Sequence, residues 1–286
     1  MSVVAQDSRE DHGKQARSMV LIAMLVLLLW PLAYAVWLSF TPGEFLEPPR
    51  GEWSLRWYRE FFGSARWMAG LSNSVIVAAM STVLSLLAGV SLAMGLSGHR
   101  FAGAGLAGRV VLLPLLMPPV VLAMALLPLM RLLGLWGSTL SLAIGHSLLS
   151  LPVVYIVIRD AIAAADPDIA VAARGLGASR WLTFRAVVLP LLWPAITFAA
   201  LASFVLSLNE FVIALFLATP AIETLPKVIW PNLRYTLTPL VAAASAITVA
   251  FSAATIAAVL AIRYWMIAPQ PSPNTRMLMM QPEVRQ

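Results

Sequence analysis

SNSVIVAAMSTVLSLLAGVSLAMGL, residues 72–96, carries no charged side chain along its whole length. It exceeds the roughly 20 apolar residues that a helix needs to cross a hydrocarbon core, and it is too long for a buried strand. Five further charge-poor runs recur on either side, at 19–40, 110–130, 140–158, 186–208 and 235–262. Each reads as a membrane helix, which predicts an all-α integral membrane protein with about six transmembrane helices. Pro114, Pro118, Pro119, Pro128, Pro152, Pro190 and Pro194 interrupt the spans. Such prolines either kink a helix or free backbone carbonyls that line a pathway.

Composition points the same way. Of 286 residues, 60% are hydrophobic and 11% charged, a balance that leaves too little polar surface to cover a water-soluble fold. No stretch between the runs is long enough for a separate soluble domain. The reading is one membrane domain over 19–265, between cytoplasmic tails at 1–18 and 266–286. Ala33-Tyr34-Ala35 after a basic start resembles a secretory cleavage site. However, the apolar run continues through Val36, Trp37, Leu38 and Phe40, long enough for an uncleaved span.

The formal charge of +6 does not call for a nucleic-acid partner, because the basic residues sit mainly between the apolar runs. With the N-terminus inside, Lys14, Arg17, Arg109, Arg174, Arg180, Arg185 and Arg263 all fall on the cytoplasmic side. The positive-inside rule therefore places both termini in the cytoplasm. Trp53, Trp57 and Tyr58, then Trp230 and Tyr235, then Tyr264 and Trp265, sit beside span ends, where aromatic rings favour the headgroup layer. Cysteine is absent, which removes disulfides, Cys-containing zinc sites and thiol nucleophiles.

Most loops are short, but the segment at about 159–185 is long and carries its own helix signals. Asp166 can cap a helix begun by Pro167, Asp168 adds favourable charge to its first turn, and Gly175 or Gly177 can end it. Ser179 can cap a second helix with Arg180, Trp181 and Phe184. A compact helix pair projecting into the cytoplasm is either a docking surface for a soluble partner or an amphipathic segment on the lipid surface.

Ala172-Ala173-Arg174-Gly175-Leu176-Gly177, followed by Val187-Val188-Leu189-Pro190, resembles the EAA loop of the permeases of ATP-binding-cassette (ABC) importers. That pattern is Glu-Ala-Ala, three residues, Gly, nine residues, an aliphatic, any residue, then Leu-Pro. Ala172, Ala173, Gly177, Val187, Leu189 and Pro190 match in register, whereas Val171 stands at the glutamate position. The stretch 203–226, with Leu206-Ser207-Leu208-Asn209-Glu210 and Thr224-Leu225-Pro226, is similar to the spermidine/putrescine subgroup.

The resemblance implies a type I importer permease in a bacterial inner membrane, forming half of a translocation pathway for a small solute, a polyamine or related amine. It implies three partners: a second permease, here a different chain because one motif is altered, a pair of cytoplasmic ATP-binding subunits, and a periplasmic substrate-binding protein. The residues it assigns to the ATPase contact are Val171, Ala172, Ala173, Gly177, Leu189 and Pro190. The chain itself then performs no covalent chemistry and binds no cofactor, ATP and Mg²⁺ residing on the partner.

Glu210, beside Asn209, is the one acidic residue that lies in or against a predicted span. A carboxylate at membrane depth is a functional candidate, lining the pathway and meeting a cationic solute. The alternatives are a place in the outer headgroup zone or a structural pair with Arg234 or Lys227. His146 is a lone histidine in the fourth span and lacks the company that a metal site needs. It reads as a hydrogen bond to a neighbouring helix. Gly103, Gly105 and Gly108 spell G-x-G-x-x-G without a preceding strand, and no GxxxxGK[ST] phosphate loop occurs. The other class of transporter, an ion-driven carrier, would carry more intramembrane charge or paired broken helices.

Overall fold

The computed structural model describes residues 2–97 and 103–267. Arg100 and positions 268–286 of the predicted C-terminal tail lie outside the described residues. The described chain is helical apart from its connections: α1 (Ser2–Leu38), α2 (Arg56–Gly63), α3 (Ala65–Ser97), α4 (Ala104–Val111), α5 (Leu113–Leu116), α6 (Pro119–Leu132), α7 (Thr139–Ala164), α8 (Pro167–Gly175), α9 (Arg180–Thr183), α10 (Leu189–Leu208), α11 (Val212–Leu217), α12 (Leu225–Tyr235) and α13 (Pro239–Ile267). A π-helical turn, Phe184–Val188, joins α9 to α10.

Among the described residues, five helical stretches are long and apolar enough to cross a membrane: Arg17–Leu38, Ala65–Ser97, Thr139–Ala164, Arg180–Leu208 and Pro239–Ala261. The predicted third span, 110–130, is instead split into α4, α5 and the shorter apolar α6. The break falls at Met117, whose backbone is extended. Pro118 follows it, and a residue before proline is driven out of the helical region. The predicted start of the last span at 235 is also moved, since Tyr235 ends α12 and α13 begins at Pro239. In the other direction, α7 continues past 158 to Ala164, which shortens the cytoplasmic loop.

Lipid removes the ordinary hydrophobic drive between helices, so close packing and hydroxyl contacts must hold the bundle. On α3, Gly70, Ser74, Ala78, Ser81, Ser85, Gly89 and Ala93 are all buried. They recur every three or four residues and form one small-residue stripe. α7 and α10 pack along α3. A Cβ added at Gly89 would come within 2.6 Å of Val154 Cγ1, so glycine is what lets α7 approach. Ser85 Oγ and Ser203 Oγ of α10 share a hydrogen bond of 2.7 Å.

At one end, Trp57 and Phe61 of α2, Trp67 of α3, Leu225 and Val228 of α12 and Leu240 of α13 form a core. Trp57 is therefore an interior residue and not the headgroup anchor that its position suggested. α1 differs from the rest: the apolar part of its Arg17–Leu38 span is exposed along most of its length.

Gly108 lies on α4, and a Cβ there would come within 2.9 Å of the Tyr155 hydroxyl. That packing accounts for a glycine of the G-x-G-x-x-G string without a nucleotide. Replacing Gly89 by Val should lower the melting temperature of the detergent-purified protein by several degrees, on the scale of the roughly 1–3 kcal/mol that overpacking costs. An unchanged melting curve would show that α3 and α7 do not need this close approach.

Candidate functional site

Two sites come from the sequence reading, the broken helix at Asn209-Glu210 and the loop before α10. At the first, α10 ends at Leu208, Asn209 and Glu210 leave the helical path, and the chain re-enters a six-residue helix, α11. Ile213, Ala214 and Leu217 of α11 are fully buried against Leu126 and Met130 of α6 and Leu142 of α7. Gly145 makes the room, because a Cβ there would lie 2.6 Å from Ile213 Cγ2. Two short helices, α6 and α11, thus pack together.

A helix that starts inside an apolar layer exposes backbone N–H groups that water cannot satisfy. Glu210 satisfies them. Its carboxylate accepts from the N–H of Val212 and of Ile213, each at 2.9 Å, and from that of Ala214 at 3.3 Å. At the other end of α11, the Lys227 ammonium donates to the Ala218 carbonyl at 2.7 Å. The acid stands at the positive end of the helix and the base at the negative end.

This corrects the structural alternative for Glu210. It pairs with neither Lys227 nor Arg234, whose guanidinium lies over the Tyr235 ring. Glu223, in the connection before α12, instead takes Arg66 of α3 at 3.1 Å.

The partner that the sequence did not reveal is His146. Its Nδ1 shares a hydrogen bond of 2.8 Å with Ser207 Oγ, which bears out the reading of a bond to a neighbouring helix. Its Nε2 lies 3.5 Å from Glu210 Oε2. The lone histidine thus has a carboxylate for company after all, across a separation of 64 positions (146 to 210) that no local pattern encodes. Among the described residues, no group of three or more His, Cys, Asp or Glu could hold a metal ion.

His146, Ser207, Asn209 and Glu210 line a cavity of about 460 Å³, together with Ser150 and the broken segment at Met117. Glu210 keeps 9% of its side chain exposed there.

At the second site the predicted helix pair is present. Asp166 accepts from Asp168 N–H at 2.9 Å, and Ser179 Oγ accepts from Leu182 N–H at 3.2 Å. Gly177 is left-handed, with φ of 89°. Its N–H donates to Arg174 O, and that of Ala178 donates to Ala173 O, at 3.0 and 3.1 Å. This pair of bonds is the Schellman ending, in which a glycine at the left-handed position closes the last carbonyls. The α8 helix presents Val171, and the turn presents Leu176, 89% exposed, with Trp181 following.

The second predicted helix differs from expectation. α9 is one turn that passes through the π turn into α10. Pro190 has no N–H to give the carbonyl of Ala186, and its ring crowds that carbonyl. The Leu189 N–H reaches back five residues to Phe184 O, widening the turn.

Compared with known protein families, residues 82–268 match the one described as binding-protein-dependent transport system inner membrane component. The chain belongs to this family. It is accordingly a multi-pass inner-membrane permease, and the matched residues run from α3 to the end of the described chain, including both sites.

It is 27% identical to the spermidine/putrescine transport system permease protein PotC of Escherichia coli K12, over 84% of this chain and 90% of that one. It is 29% identical to the putrescine transport system permease protein PotI of the same organism, over 78% and 82%. Among solved structures, a chain of a bacterial alginate ABC transporter, in complex with its alginate-bound periplasmic protein, superposes with a TM-score of 0.71 at 15% identity, over 89% of this chain and 94% of that one. That likeness concerns the fold. The inner-membrane permease reading and the all-α importer-permease fold are thereby borne out.

Glu210→Ala should destabilise the purified protein by roughly 1–2 kcal/mol, the usual cost of losing a helix cap, and Lys227→Met by less. Thermal unfolding in detergent measures both. A Glu210→Ala protein that melts with the wild type would show that the carboxylate does not hold α11.

Proposed function

We propose that the chain forms half of the translocation pathway of an ATP-driven importer for a polyamine or related amine. The other half belongs to a second permease of different sequence. A periplasmic binding protein delivers the solute, and a pair of cytoplasmic subunits holds ATP and Mg²⁺ and hydrolyses the nucleotide. The polyamine assignment is supported by the names of the PotC and PotI relatives, which the chain matches over most of its length.

The observation that carries the coupling assignment is the self-capped pair α8–α9, which turns Val171, Leu176 and Trp181 outward. The Schellman bonds fix the shape of the turn after α8 within the loop itself. Exposed apolar side chains on such an element suit a groove in a soluble partner. Val171, at the glutamate position of the family pattern, makes that contact apolar and removes a charge that could pair or hydrogen-bond across it. Ala172 and Ala173 permit close approach, Gly177 makes the turn, and Leu189 and Pro190 join the loop to α10. Since α10 runs on to Asn209 and Glu210, a movement of the loop reaches the cavity along one helix. Asn209 and Glu210 line the pathway there.

Leu176→Glu should abolish co-purification of the ATPase from mild detergent while leaving the second permease bound, because Leu176 is too exposed to support this chain's own packing. Retention of the ATPase at the wild-type level would move the contact elsewhere. Uptake that persists in vesicles without ATP and follows an ion gradient would replace the importer reading with an ion-driven carrier.

A further inference from the structure

The cytoplasmic loop hangs from two helices that pack against each other: α7 leads into it at Ala164, and α10 leaves it at Leu189. His146 lies 18 residues from the loop end of α7 (146 to 164), and Ser207 lies 18 residues from the loop end of α10 (189 to 207). At about 1.5 Å per residue, both stand roughly 27 Å from the loop. They meet there, His146 Nδ1 and Ser207 Oγ sharing the bond of 2.8 Å. The far ends of the two arms of the loop are therefore joined through one imidazole.

The other edge of that ring faces the break. His146 is fully buried, and its Nε2 has no hydrogen-bond partner among the described residues. Glu210 Oε2 stands 3.5 Å away, just beyond a good hydrogen bond. An unsatisfied nitrogen in an apolar layer is costly, so a small approach of the two groups is favoured. A carboxylate oxygen only accepts, so the contact attracts where Nε2 carries the proton. The Ser207 hydroxyl, a donor as well as an acceptor, lets Nδ1 go without one.

Oε2 is also the oxygen that accepts from the N–H groups of Ile213 and Ala214. A shift of α7 along α10 thus acts on the atom that fixes where α11 begins.

We propose that His146 is the positioning residue of the broken helix. It converts a displacement of α7 against α10 at the loop into a displacement of the Glu210 carboxylate, and of α11 with it, at the cavity. The inference rests on the coupling assignment of the loop.

Val212, the first residue of α11, lines the cavity, and the chain has no cysteine of its own. Val212→Cys therefore reports on the cavity through its rate of modification by methanethiosulfonate ethylsulfonate, read as mass added to this chain in the assembled permease–ATPase complex. The rate should differ about tenfold between the nucleotide-free complex and one trapped with ATP and vanadate, the shift that one hydrogen bond to a charged group supports. His146→Asn, whose amide reaches only the Nδ1 position, should abolish the difference. His146→Gln, whose amide reaches the Nε2 position, should retain it, and both should recover the complex at the wild-type yield. An unchanged difference in His146→Asn overturns the proposal. So does an equal loss in both variants, since the ring would then only fill space. A rate that ignores nucleotide in the His146 background, while Leu176→Glu still releases the ATPase, overturns the proposal and leaves the docking of the loop in place. If Leu176→Glu keeps the ATPase, the coupling assignment falls and the proposal falls with it.

Discussion

The arrangement around Glu210 depends on one constraint: a polypeptide may leave the helical path inside lipid only where its freed backbone groups find partners in the protein. Glu210 meets that constraint with three backbone N–H bonds, and Lys227 meets it at the far end of α11 with the Ala218 carbonyl. Because of these two side chains, α10 can stop at Leu208 and a short buried helix can follow. The break creates the cavity, and His146, tied to Ser207, stands across it from the carboxylate. A charge that looks costly at membrane depth thereby spends most of its hydrogen-bonding capacity on backbone that would otherwise be orphaned.

The bundle around that break is held by closeness. Small residues on α3 bring α7 and α10 against it, Gly145 admits α11, and serine hydroxyls bond across helices. In lipid, such contacts replace the expulsion of water as the source of specificity. Large apolar side chains serve elsewhere: Trp57, Phe61 and Trp67 close one end, while the leucines and valines at 20–32 of α1 are left outward.

The loop before α10 shows how a short motif can be conformational as much as chemical. Gly177 is the left-handed residue of a Schellman ending, and Ala173 supplies the carbonyl that closes it. Pro190 forces the π turn by which the loop enters α10. The same residues that resemble the family pattern set the shape of the loop, and its outward face is left to Val171, Leu176 and Trp181.

Much of this was legible in the sequence. The charge-free runs define spans because roughly 20 apolar residues suffice to cross a bilayer. Asp166, Pro167, Gly177 and Ser179 define the loop helices because caps act within a few positions. Glu210 was visible as a carboxylate at membrane depth, yet its partners were not. The three N–H groups belong to a helix whose start no apolar run marks, and His146 is distant in the chain. The interior place of Trp57 was likewise decided only by tertiary structure. Apolar length determines that a segment enters the membrane. Which face it buries depends on the neighbours that packing brings.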